Sequence, residues 1–148
     1  MSGREILFRG KRKDNGEWIY GVPITDESTN DVYIITSTAG ASLKSEINNM
    51  CATGFRAIPE TVEPYTGLTD KNGTRIFEGD IVKITGFHTT AIAAVKYGSP
   101  SEKSTSWGWY FEDNDGHTYF LMSKTFCKDY NAIIIGNIYD NPELLKGD

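Results

Sequence analysis

Short runs of apolar or alternating residues recur along this chain, and none is long. WIYGVPI (18–24), VYIIT (32–36), IVKIT (81–85) and AIAAVKY (91–97) carry β-branched and aromatic residues at spacings near two. Such runs fit pleated, half-buried strands. Turn residues punctuate them. KDNGEWIYG (13–21), DKNGTRIFEG (70–79) and DNDGHTYF (113–120) each place an Asx-Gly pair before a strand-like run. Asx-Gly favours a two-residue type I′ hairpin turn, with positive φ at both positions. The pattern predicts hairpins joining 6–9 to 17–22, 65–69 to 74–77 and 107–112 to 117–122. Further strands are predicted at 32–36, 56–58, 81–85, 91–97 and 132–138. The flanking strands share no fixed period, so the turns alone do not make an internal repeat.

Helical signals are few. Residues 123–130 (SKTFCKDY) predict one or two turns. Asn141-Pro142-Glu143 has the order N-cap, N1 Pro and acidic first turn, so it predicts a helix start near the end of the sequence. Residues 36–45 and 97–106 are rich in Ser, Thr, Gly and Ala and read as loops. Many short strands with frequent turns predict a mainly β chain with few short helices. EGDIVKITGFHTTAIAAVKYG (78–98) has the cadence of an SH3-like barrel entry: a Gly-Asp corner, a strand, a Gly-containing loop and a second strand. The expected division is an N-terminal β part, 1–77, and an SH3-like barrel part, 78–148.

Composition narrows the class. The 148 residues are 39% hydrophobic and 12% aromatic, enough for a real core in one domain or two small β parts. The net charge is −5, unevenly spread: residues 1–13 sum to +4, and the remainder to −9. An acidic body repels a phosphate backbone over most of its surface. Cys51 and Cys127 show no CxxC or Cys/His spacing, which reads as free thiols in a reducing compartment. No apolar run suits a membrane span or a signal h-region, so a cytoplasmic protein is expected.

The chemical motifs mostly fail. An EF-hand loop needs an acidic ligand at position 1 and a Gly at position 6. Registering that Gly on Gly73, Gly16 or Gly116 places Leu68, Lys11 or Phe111 at the first ligand position. GxxxxGK[ST] and GxGxxG are absent, His88 and His117 lack a partner four residues on, and no nucleophile signature occurs. No cofactor or metal is expected. A carboxylate pair drawn from Glu112, Asp113 and Asp115, or from Glu78 and Asp80, is the remaining route to a hydrolase. The basic edge Arg9, Lys11, Arg12 and Lys13, with Trp18 nearby, is the route to nucleic-acid binding by phosphate contact and base stacking.

Three blocks carry a family likeness. REILFRGKRKDNGEWIYG (4–21), ETVEPYTGLTDKNGTRIFEGDIVK (60–83) and IIIGNIYDNPELL (133–145) resemble the YopX family of phage and prophage proteins. The resemblance implies a β-rich fold, a phage or prophage origin and action in the bacterial host cytoplasm. It implies no catalytic residues. The apolar tail residues Ile138, Tyr139, Leu144 and Leu145 are expected to cover the barrel or a neighbouring subunit. Short β edges also need pairing or covering. The combined expectation is a non-enzymatic, homo-oligomeric protein-interaction module with a phage or host protein as possible partner. A nucleic-acid-binding module and an acid-using hydrolase are the alternatives.

Overall fold

The computed structural model describes residues 5–37, 53–86, 89–103, 105, 107–120 and 126–146. Strands dominate, and the chain divides into two compact units, Met1–Tyr65 and Thr66–Asp148. This division lies upstream of the 77/78 division expected from the sequence. The reason is packing: Ile76, within the hairpin that precedes Glu78, is buried in the core of the second unit.

The first unit contains β1 (Phe8–Lys11), β2 (Trp18–Asp26), β3 (Asp31–Ser37), β4 (Thr53–Ala57), a 3-10 turn (Pro59–Thr61) and the start of β5 (Glu63–Thr69). Its antiparallel order is β4-β3-β2-β1-β5. β2 is long because it serves two neighbours. Trp18–Gly21 pair with β1, and Val22–Asp26 pair with β3. Gly21 stands at the handover, where a Cβ would fall 2.1 Å from the Ile35 carbonyl oxygen. Only glycine permits that approach. Ile34 and Ala57 are buried on the inner face. The end of β1 also meets β4: Arg12 bridges Ala57, Lys13 N–H donates to Arg56 O, and Ile58 N–H donates to Lys11 O. The meander therefore curls until its outer strands touch. Thr61 ties the 3-10 turn to β1, since its Oγ1 accepts the Lys11 N–H at 2.9 Å.

The second unit contains β6 (Arg75–Phe77), β7 (Asp80–Gly86), β8 (Thr89–Gly98), β9 (Gly108–Asp113), β10 (Thr118–Phe120), α1 (Phe126–Asp129), β11 (Ile133–Asn137) and a 3-10 turn (Pro142–Leu145). β7 to β11 form an antiparallel sheet in the order β10-β9-β8-β7-β11. Hydrogen bonding among the described residues does not close it into a barrel. Ile76, Val82, Ile84, Ala93, Val95, Phe111, Cys127 and Ala132 make its core. The two units thus repeat one topology. Each is a four-strand meander, then a short helical turn, then a fifth strand returning antiparallel to the first.

The Asx-Gly turns are present but are not type I′. Gly16, Gly73 and Gly116 alone take positive φ, at 74°, 84° and 84°, while Asn15, Asn72 and Asp115 do not. In two of them a preceding aspartate decides the geometry. Asp70 Oδ1 accepts the N–H of Asn72 and Thr74, and Asp113 Oδ1 accepts that of Asp115 and His117. Each side chain holds its turn right-handed until the glycine. Asp70 is buried, and its Oδ2 also accepts the Ile134 N–H at 3.1 Å, joining the hairpin tip to β11.

The predicted end helix is one 3-10 turn, and Asn141 makes no side-chain cap. Its Oδ1 instead accepts the Asn137 N–H. Among the described residues, no helix is long and apolar enough to cross a membrane.

Candidate interaction surface

Strand alternation decides what β2 shows to solvent. Trp18, Tyr20, Val22, Ile24 and Asp26 project to one side, while Ile19, Gly21 and Pro23 project to the other. The inner side faces Ile34. On the outer side Tyr20, Val22 and Ile24 remain 49, 51 and 54% exposed. β3 widens this row, because Val22 pairs with Ile35 and Ile24 with Tyr33. Three consecutive outward positions are therefore apolar, which is unusual for a solvated sheet face.

The ends of the row carry opposite charge. At one end Lys11 pairs with Trp18, its Nζ 5.4 Å from the ring centre. At the other end lies exposed Asp26, while Asp31 across the pair is already engaged by Arg56. The Asp26 carboxyl is held below the usual carboxylate range, mainly by the Ser28 hydroxyl and then by the Ser28 N–H. It stays charged at neutral pH.

The predicted basic edge is not one stripe. Arg9 is buried, 3.4 Å from Glu63, with its guanidinium 4.5 Å from the Trp18 ring centre. Arg12 forks onto Asp14 at 2.9 and 2.6 Å and covers Phe55 at 4.1 Å. Lys13 is exposed and lines an open cleft of about 370 Å³ with Asp14, Phe55 and Arg56. Arg56 in turn contacts Asp31 at 3.1 Å. The structure brings Arg12 and Lys13 together with Phe55 and Arg56, two residues the sequence reading did not select. Their partners come from more than forty positions away, so no local signal marks them.

The tail residues Ile138, Tyr139, Leu144 and Leu145 are each half-buried on the second unit. Ile138 N–H donates to Gly79 O, and Tyr139 N–H to Asn137 Oδ1. The acidic candidates are engaged in different ways. Asp80 is buried and accepts the Phe77 N–H at 2.8 Å. Burial raises the Glu78 carboxyl above its ordinary range. Glu112 pairs with Lys96 at 2.6 Å. Asp113, Asp115 and His117 hold ligand atoms within 4.8 Å of one another. That grouping follows from the turn they share. His88 and Cys51 lie outside the described residues. Cys127 is buried, and burial followed by the Asp70 charge lifts its thiol to about 11. It is an inert core thiol at neutral pH.

Fold and surface together define a mainly β protein of two meander units with a half-exposed apolar row on the first. The chain belongs to the YopX protein family, whose model matches residues 7–146. Its fold is similar to that in the crystal structure of protein EF1440 from Enterococcus faecalis. The TM-score is 0.59 at 24% identity, covering 97% of this chain and 99% of that one. No curated protein sequence matches.

Proposed function

We propose that this chain is a non-enzymatic protein-interaction module that associates with a second copy of itself through the outer face of β2. The setting in this reading is the cytoplasm of a bacterium carrying the phage or prophage. The observation that carries it is the row Tyr20, Val22 and Ile24, each about half exposed. The charge order supports a second copy as the occupant. Laid antiparallel about a two-fold axis, two rows place the Lys11 end of each against the Asp26 end of the other. An isologous interface requires such self-complementarity. Val22, the middle of the apolar row, then sits near the axis, facing its own mate.

Cysteine cross-linking tests this. In a Cys51→Ser background, Val22→Cys is expected to form a disulfide-linked dimer under mild oxidation. Ile135→Cys, exposed on the second unit, is the control and is expected to remain uncoupled. No coupling at Val22, or equal coupling at both positions, overturns the reading.

A second reading rests on the cleft lined by Lys13, Asp14, Phe55 and Arg56. Two cations beside an aromatic suit single-stranded nucleic acid. It predicts salt-dependent binding of a single-stranded oligonucleotide, lost in Lys13→Glu with Arg56→Gln. The internal pairing of Arg9 and Arg12 favours the first reading.

A further inference from the structure

The three Asx-Gly pairs look alike in sequence but are bonded differently. Asn15-Gly16, Asn72-Gly73 and Asp115-Gly116 all lie on exposed hairpin tips, and each glycine has positive φ. In the second and third turns the preceding aspartate captures the amides. Asp70 Oδ1 accepts the Thr74 N–H at 2.9 Å, and Asp113 Oδ1 accepts the His117 N–H at 2.9 Å. Those are the N–H groups two residues beyond Asn72 and Asp115. The first turn lacks this capture, because Asp14 is forked by Arg12 instead. There the N–H two residues on goes to the asparagine itself: Glu17 N–H donates to Asn15 Oδ1 at 2.9 Å.

This bond makes an Asx-turn across a glycine. It folds the side-chain amide back over the Gly16 peptide and holds Cγ beside the Gly16 nitrogen. It also polarises the Asn15 carbonyl, since a backbone N–H already donates to the oxygen that gains negative charge when Cγ is attacked. Glycine has no side chain to obstruct its own nitrogen. The Gly16 N–H donates to Arg12 O at 2.9 Å, and opening that bond at an exposed tip frees the nitrogen.

We propose that Asn15 is a site of spontaneous deamidation. The Gly16 nitrogen gives its proton to solvent and forms a bond to Asn15 Cγ. The Cγ–Nδ2 bond breaks and ammonia leaves, which closes a cyclic imide. Water then adds across one of the two imide C–N bonds. Opening at Cγ gives aspartate, and opening at the backbone carbonyl gives isoaspartate. Either product takes the formal net charge from −5 to −6. The new carboxylate stands next to Asp14, which lines the cleft with Lys13, Phe55 and Arg56. Other Asx-turns lack one of the two requirements. At Asp26, Asp70 and Asp113 the group that accepts is a carboxylate, a poor electrophile. Asn137 Oδ1 accepts the Tyr139 N–H at 3.0 Å, but the nitrogen between them belongs to branched Ile138. The site does not depend on self-association through β2 or on what the cleft binds.

The test is peptide mapping by mass spectrometry of the full-length protein held in warm, mildly alkaline buffer, beside the same chain unfolded in guanidinium chloride. In the folded protein Asn15 is expected to convert about tenfold faster than Asn72. In the unfolded chain the two Asn-Gly pairs are expected to convert at similar rates, because the bonds that distinguish them are gone. Conversion of Asn72 as fast as Asn15 in the folded protein overturns the proposal. So does an Asn15 that stays intact in the folded protein, or a preference for Asn15 that is undiminished on unfolding.

Discussion

Asp70 accepts two N–H groups of its own turn through Oδ1 and the Ile134 N–H of β11 through Oδ2. Asp113 makes the same two turn bonds, but its Oδ2 faces exposed His117 at 3.4 Å instead. The difference gives a paired prediction. Asp70→Ala leaves three donors unsatisfied in a buried place and is expected to cost about 3 kcal/mol in urea unfolding. Asp113→Ala exposes its donors to water and is expected to cost about 1 kcal/mol. Equal losses contradict the cross-linking role of Asp70. Cys127 reports on the same carboxylate. Its thiol is pushed up from 9.0 to about 11, by burial first and by Asp70 second. Below pH 9 the thiol is protonated in folded and unfolded chains alike, and its contribution to stability is whole. As pH rises from about 9 towards 11, the unfolded chain releases the proton first, so that contribution is lost. Thiol absorbance at 240 nm in a Cys51→Ser chain is expected to titrate near 11, and lower in Asp70→Asn. A titration near 9 in the folded protein contradicts the buried placement.

At the scale of elements, the turns and most strands are legible because their causes are local. DKNG and DNDG carry the side chain that holds the turn and the glycine that ends it. The expected type I′ geometry fails for an equally local reason: the aspartate captures amides that a two-residue turn would leave pointing away. The shared meander topology is not legible. It depends on which strands pair, and β5 and β11 return to their partners on the strength of long-range packing. Asp70 also shows this, since its bond to Ile134 spans 64 residues. Gly21 is the clearest single test of the pairing. An added methyl there collides with the Ile35 carbonyl at 2.1 Å. Gly21→Ala is expected to cost about 3 kcal/mol or more in thermal or urea unfolding. Gly73→Ala has open space, but φ at 84° makes it strained, with an expected cost of about 1–2 kcal/mol. A harmless Gly21→Ala contradicts the close approach of β2 and β3.

At the scale of the whole molecule, the charge asymmetry is visible in the sequence, but its disposition is not. The basic edge reads as a stripe until Glu63 and Asp14 are placed beside Arg9 and Arg12. The apolar row was half legible. WIYGVPI is apolar at both parities, so the core of its own unit can bury only one face of β2. What the sequence conceals is which face that is, since burial of the Ile19 side depends on Ile34 and Ala57. The self-association account makes a charge prediction. Lys11→Glu and Asp26→Lys are each expected to weaken the dimer, and their combination is expected to restore it, because the two positions meet across the axis. Added salt is expected to weaken the wild-type dimer in part, through screening of those rim charges. The most direct measurement is the solution mass of the wild-type chain by light scattering across a micromolar dilution series. The account predicts a mass above the 16.5 kDa of one chain that falls towards it on dilution. It further predicts that Val22→Asp with Ile24→Asp stays at one chain throughout. A wild-type mass of one chain at every concentration contradicts it.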